Sequence, residues 1–138
     1  MISEIAKKRD CGFVAIVCVH NYGSGMEDLL KSMNLAPEPE GLSEIDASTA
    51  IKIIEAILWK DLAYRTEIMP KEQAGEYARW FIENFSGQDS RFFTNGDWSD
   101  YHQTVSNHWY AFTDATFDAG VIIVNPQYAI CLWVEDED

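Results

Sequence analysis

An uninterrupted run of seven apolar and mostly β-branched residues, FVAIVCV at positions 13–19, constrains the fold more than any other feature of this sequence. Such a run is typical of a strand that is buried on both faces, so we expect it to lie at the centre of a sheet. A bilayer-spanning helix needs roughly 20 apolar residues, and the run is therefore too short to cross a membrane.

Two further apolar runs near the C-terminus predict a β-hairpin. Residues 120–124 (GVIIV) and 129–134 (AICLWV) are separated by Asn-Pro-Gln-Tyr, which suits a four-residue hairpin connection. We expect the early strand to join this hairpin in one small sheet.

Between these strands the apolar residues follow the 3.6-residue period of helices. Residues 2–9 favour a short amphipathic helix, and apolar positions in 26–33 form one face of another. The longest periodic stretch runs from Ala47 to about Arg65, and a last helix is predicted from Pro70 to the Ser86-Gly87 pair.

Helices in the middle of a chain with few strands indicate the α+β class. With 138 residues, the chain has the length of one domain. We therefore predict a single α+β domain over residues 1–138, in which a small, mainly antiparallel sheet packs against about three helices.

Acidic side chains outnumber basic ones, 23 to 10, which gives a formal net charge of −13 and an isoelectric point near 4.4. Nucleic acid and anionic lipid both require a basic protein surface, so this charge argues against either as a partner. Apolar residues make up 47% of the chain and aromatic residues 13%, and this composition excludes a disordered polyelectrolyte.

The cysteines favour a reducing compartment. Cys11, Cys18 and Cys131 are an odd number without paired spacing, and the last two lie in apolar runs, where a free cysteine behaves as a small hydrophobe. Glu4 and Asp10 interrupt the basic flank that a secretory signal needs. We expect a cytoplasmic protein.

The charge is distributed unevenly along the chain. The last basic residue is Arg91, and residues 92–138 carry eight acids and no Lys or Arg. The same segment contains three of the five tryptophans. Acids interleaved with aromatics suit an interface for a basic protein, because aromatics supply desolvated anchors and carboxylates pair with Arg or Lys. A solvated acidic face that keeps the protein in solution is the competing interpretation.

We predict three kinds of partner-binding residue in this segment: aromatic anchors, pairing acids and a steering chain end. These are, in that order, Trp98, Tyr101 and Trp109; Asp97, Asp100, Asp114 and Asp118; and Glu135, Asp136, Glu137 and Asp138.

Other patterns that suggest chemistry lack the spacing that the chemistry needs. The Gly23-Ser24-Gly25 turn has Asp28 where a dinucleotide-binding turn needs glycine. Asp97, Asp100, His102 and His108 are not spaced to place metal ligands on one helix or hairpin.

The sequence pattern indicates neither a catalytic thiol nor a catalytic pair of carboxylates. Cys18 and His20 share a strand face, but the apolar run around Cys18 predicts a buried, inert thiol. With 23 acids, carboxylate pairs are expected by chance. The sequence therefore predicts no catalytic residue, metal ligand or cofactor.

Three segments carry a resemblance: DLAY at 61–64, TFDAG at 116–120 and WVEDED at 133–138. With them, the chain resembles the small acidic immunity proteins of bacterial toxin–immunity pairs, including those of contact-dependent growth inhibition. The resemblance implies a cytoplasmic protein that neutralises a cognate toxin, commonly a nuclease, by covering its active site. Immunity proteins have many unrelated folds, so no functional residue is transferred.

Three alternatives stay open. The chain is a small α+β enzyme or ligand-binding protein that uses the His102/His108 loop, an inhibitor that mimics nucleic acid, or a structural assembly subunit. A mimic needs carboxylates spaced like phosphates, whereas the acids before the C-terminal tetrad are scattered.

Overall fold

The computed structural model describes residues 1–20, 22–23, 25–96 and 110–137. Within them the chain forms four α-helices, five β-strands and one 3₁₀ turn. In chain order the helices and strands are α1 (Ile2–Lys8), β1 (Phe13–His20), α2 (Met26–Ser32), β2 (Ser43–Ile45), α3 (Ala47–Trp59), α4 (Lys71–Phe85), β3 (Arg91–Thr94), β4 (Phe117–Val124) and β5 (Tyr128–Asp136).

The five strands form one antiparallel sheet in the order β1-β5-β4-β3-β2. The predicted hairpin is β4–β5, and the early strand β1 pairs along its whole length with β5, from Phe13 opposite Glu135 to His20 opposite Tyr128. The predicted α+β class, with an early strand joined to a C-terminal hairpin, is confirmed.

The early strand is an edge strand, and the prediction of a central position was wrong. None of its eight residues is fully buried, whereas most residues of β4 and β5 are. Apolar composition reports how well a strand packs, and it does not reveal whether one side of the strand lacks a neighbour. The buried centre of the sheet is the hairpin itself.

One face of the sheet is covered by α3 and α4, with Ile5 of α1 in the same core. The side chain of Asp46 caps the N-terminus of α3, because its Oδ1 accepts a hydrogen bond from the Thr49 N–H at 2.8 Å. The helix ends at Trp59, six residues before the predicted Arg65. The chain turns there because Asp61, which is buried, accepts backbone N–H groups of the following loop.

The opposite face of the sheet is covered by α2 and by two further segments, one directly after α2 and one before β4. Leu29 and Leu30 of α2 are completely buried, and Phe112 packs at the edge of the Trp133 ring. Trp133 lies over Gly120 of β4, where a Cβ would overlap its indole ring, so this position requires glycine.

Two strands were not predicted, and both are short. Residues 43–45 and 91–94 form β2 and β3, which extend the hairpin on the side away from β1. Three or four residues are too few to display the two-residue alternation of a strand. Their pairing partners lie far away along the sequence, as in the pairing of Arg91 with Val124.

A buried ion pair closes the end of the sheet where β5 finishes. Arg9 donates two hydrogen bonds to Asp136, at 2.9 and 2.8 Å, and both side chains are almost completely buried. Asp136 also accepts the Leu62 N–H at 2.7 Å, and Arg9 donates to the Ile57 carbonyl at 2.8 Å. Gly12, with φ of +63°, lies so close that a Cβ would overlap the Asp136 carboxylate.

The prediction that residues 135–138 form a mobile steering tail was wrong for Glu135 and Asp136. Both belong to β5, and the Asp136 carboxylate accepts hydrogen bonds from Arg9 and from the Leu62 N–H. A carboxylate with these partners is not available to another protein. Asp138 lies outside the described residues.

None of the helices in the described ranges has the length and apolar character that spanning a bilayer requires.

Replacing Arg9 with methionine should lower the free energy of unfolding by about 3–5 kcal/mol, because it leaves the Asp136 carboxylate buried without its counter-ion. Arg91→Met is the matched control, since the Arg91–Glu44 pair is also bidentate but its side chains are 62% and 49% exposed. Urea denaturation of both variants measures the difference, and equal losses would contradict this account.

Candidate functional site

Asp118, one of the predicted partner-binding acids, is a structural residue. Only 1% of it is exposed. Its carboxylate accepts the backbone N–H groups of Phe112 and Thr113, the Thr113 hydroxyl at 2.7 Å, the Asn95 amide and the Trp133 indole N–H at 3.3 Å. The prediction that it pairs with a partner's Arg or Lys was wrong, because its acceptor positions are occupied within the chain.

The hydrogen bonds of Asp118 fix the segment that enters β4 against the sheet. Asn95, after β3, donates to the Tyr110 carbonyl at 2.9 Å, and the Tyr110 N–H donates to the Asn95 carbonyl at 2.8 Å. Asn95 and Tyr110, which lie near the ends of two described ranges, are therefore held together by two hydrogen bonds. In the segment that follows, Ala111 and Asp114 are exposed, whereas Phe112 is buried against Trp133.

A groove of about 540 Å³ lies beside this segment. Carboxylates reach it from three separate parts of the chain. Glu38 lies after α2, Asp114 lies before β4, and Glu135 lies near the end of β5. The other lining residues are small, polar or aromatic, namely Asn34, Ala36, Ala111, Phe112 and Thr113. Among the described residues, no Lys, Arg or His lines the groove.

The pKa of Glu135 is raised above its ordinary value of 4.5. Partial burial is the largest cause, followed by the negative charge of Asp118, and Glu137 and Asp114 add to the effect. A hydrogen bond with Thr113 opposes it. Burial and the neighbouring carboxylates thus both disfavour the charged form of Glu135.

The rim of the groove carries an aromatic side chain. Tyr110 is 38% exposed, and its hydroxyl donates to Glu38 at 3.1 Å. The hydrogen bond to Glu38 is the largest cause that raises the pKa of the Tyr110 phenol, and partial burial and the Glu38 charge add to it. Tyr110 thus remains a hydrogen-bond donor at neutral pH.

The remaining predicted site residues divide into two groups. Asp114 and Glu137 are exposed, and Glu137 accepts hydrogen bonds from the backbone and hydroxyl of Thr116. The others lie outside the described residues: Asp97, Trp98, Asp100, Tyr101, Trp109 and Asp138, together with the alternative site residues His102 and His108.

Glu38 was not predicted as a site residue. It belongs to the acidic Pro-Glu-Pro-Glu segment, whose sequence indicates only an extended breaker. Glu38 reaches the groove through a contact between residues that are distant in sequence, since the Ala36 N–H donates to the Phe112 carbonyl at 2.9 Å.

The cysteines differ in exposure. Cys131 is buried, and burial raises the pKa of its thiol to about 12. Cys18 is exposed on the edge strand, with its Sγ 3.6 Å from His20 Nε2, so the prediction that Cys18 is buried was wrong. In the described ranges, no three His, Cys, Asp or Glu side chains gather as metal ligands.

The chain matches no protein-family model, and no curated protein or solved structure shows significant similarity to it.

Replacing Asp118 with asparagine should cost about 3 kcal/mol of stability, because an amide NH₂ would face donors that now bind a carboxylate. Asp114→Asn, an exposed change of the same chemistry four residues away, should leave the urea midpoint unchanged. If both variants unfolded at the wild-type midpoint, Asp118 would not organise this surface.

Replacing Glu135 with glutamine should change the pH dependence of stability. The folded-state pKa is raised, so the wild type is favoured while Glu135 is protonated and loses stability as the pH rises through that pKa. The variant lacks this loss and should gain on the wild type between pH 4.5 and neutrality. Urea titrations at several pH values test this, and a constant difference would contradict it.

Proposed function

We propose that this chain is a non-enzymatic acidic binding protein that neutralises a basic protein partner. We further propose that the partner is a bacterial toxin, such as a nuclease, and that the chain acts in the cytoplasm as its immunity protein. The observation that carries the proposal is the groove formed by Glu38, Asp114 and Glu135, in which no described basic side chain balances the three carboxylates.

The groove has the chemistry that recognises Arg or Lys. An Arg guanidinium can bond two carboxylate oxygens at once, and such charge-assisted pairs are stronger than neutral hydrogen bonds. A cation in the groove would also favour the charged form of Glu135, whose pKa is raised first by burial and then by the neighbouring carboxylates. Tyr110 at the rim adds an aromatic surface for the stem of a basic side chain.

The charge of the whole protein supports the same kind of partner. A net charge of −13 attracts a basic protein over distances beyond direct contact and speeds encounter at low salt. A nuclease must be basic where it holds nucleic acid, so an acidic protein complements that surface. The anchors predicted at Trp98, Tyr101 and Trp109 remain predictions.

Some acidic residues of the C-terminal segment stabilise the fold, and others are available to bind a partner. Asp118 and Asp136 are consumed by internal hydrogen bonds, whereas Asp114 is exposed and Glu135 is only partly buried. Binding should therefore respond to changes at the groove and not to the number of acids alone.

Affinity capture of the tagged protein from its own cells tests the proposal. The wild type should capture one basic protein in stoichiometric amount. Expression of the captured protein alone should inhibit growth, and co-expression of the present chain should relieve that inhibition. The Asp114→Lys/Glu135→Lys variant should bind it at least about 100-fold more weakly, since two carboxylate pairs are replaced by repulsion.

The matched control is Glu76→Lys/Glu83→Lys, which makes the same change of net charge on the exposed side of α4. It should retain capture and rescue, with a modest loss of association rate. Equal loss in both double variants would contradict the groove as the site, and the absence of any basic partner would contradict the proposed function.

A further inference from the structure

We propose that the outer edge of β1 is a self-association surface, on which a second copy of this chain adds its own β1 in antiparallel orientation. The result is a two-fold dimer with one continuous ten-stranded sheet. This inference does not depend on the proposed function, because it concerns the edge of the sheet and not the acidic groove.

The two edges of the sheet are built differently. The β2 edge has only three residues and carries Glu44, which pairs with Arg91 of the neighbouring strand. Short length and charge are devices by which proteins prevent edge-to-edge pairing. The β1 edge has eight residues, FVAIVCVH, with no charged residue, proline or interruption of its register with β5.

No described element hydrogen-bonds to the outer side of β1. Its most exposed large apolar residue is Phe13, at 59%. An edge of this length and composition presents unpaired backbone N–H and C=O groups next to apolar side chains, which is a template for another strand.

The sequence of β1 is compatible with pairing to itself. A two-fold axis perpendicular to the sheet maps each face of the sheet onto itself. Residues that pair across the axis must therefore point to the same face. Because side chains alternate between faces along a strand, the residue numbers of each pair must have an even sum. Centring the axis on Ile16 pairs Phe13 with Val19, Val14 with Cys18 and Ala15 with Val17 of the second copy. All these pairs are apolar, and Phe13 is covered. Centring on Val17 would leave Phe13 unpaired and place His20 opposite Val14.

The charges near the edge also favour the antiparallel arrangement. Asp10 and Glu135 lie at the Phe13 end of β1, whereas the opposite end has His20 and Tyr128. Antiparallel pairing sets the acidic end of each copy beside the uncharged end of the other. The two acidic ends are then separated by the length of the strand, roughly 20 Å or more.

Sedimentation velocity over a concentration series tests the dimer. The wild type should shift from the 15.7 kDa monomer to twice that mass as concentration rises. Phe13→Lys should weaken dimerisation at least about tenfold, because the change removes two apolar contacts from the symmetric interface. Tyr64→Lys is the matched control, since Tyr64 is an exposed aromatic (67%) in the loop after α3 and is not part of β1, and it should dimerise like the wild type.

Disulfide trapping provides a second measurement that does not rely on weakening the interface. The proposed register places residue 14 opposite Cys18 of the second copy, with Cβ atoms about 4.5–5.5 Å apart, near disulfide geometry. Val14→Cys should therefore form a covalent dimer on mild oxidation with diamide, and Val14→Cys/Cys18→Ser should not.

Three results would overturn the proposal. They are a wild type that stays monomeric at its highest soluble concentration, equal dimerisation by the Phe13→Lys and Tyr64→Lys variants, and cross-linking of Val14→Cys that persists without Cys18.

Discussion

The ion pair between Arg9 and Asp136 connects parts of the chain that no sheet hydrogen bond joins. Asp136 ends β5, Arg9 follows α1, and the Leu62 N–H that Asp136 also accepts belongs to the loop after α3. Asp118 has the corresponding role on the other face, where it holds the segment around Phe112 and Thr113 against the sheet. Because both carboxylates are buried, these donors replace the water that each carboxylate loses on burial. The surface beside Asp118, including the groove, depends on this arrangement.

This use of carboxylates changes the meaning of the acidic C-terminal segment. The acidic residues after Arg91 have two different roles, and amino-acid composition alone does not distinguish them. Asp118 and Asp136 organise the fold from within, while Asp114 and Glu137 face solvent. Glu135 lies between these cases, partly buried and with a raised pKa. The functional surface is thus smaller than the acidic segment and includes Glu38, which lies far outside it in the sequence.

Prediction from sequence worked where local pattern determines structure. The four helices follow from periodicity, and the hairpin follows from two apolar runs around Asn125 and Pro126. It failed where the answer depends on contacts distant in sequence. The edge position of β1, the short strands β2 and β3, and the burial of Asp118 and Asp136 all belong to this class. Among the site residues, Asp114 and Glu135 line the groove as part of a predicted acidic surface, but their meeting with Glu38 required the fold.

The most direct test of the central claim is a backbone-amide NMR titration of the ¹⁵N-labelled protein with an arginine-rich peptide at low salt. The account predicts that chemical-shift changes centre on the residues that line the groove, and that added salt reverses them. These residues are Asn34, Ala36, Glu38, Ala111, Phe112, Thr113, Asp114 and Glu135. Changes that spread equally over the exposed carboxylates of α4, such as Glu72, Glu76 and Glu83, would show that the groove is no more than part of an acidic surface.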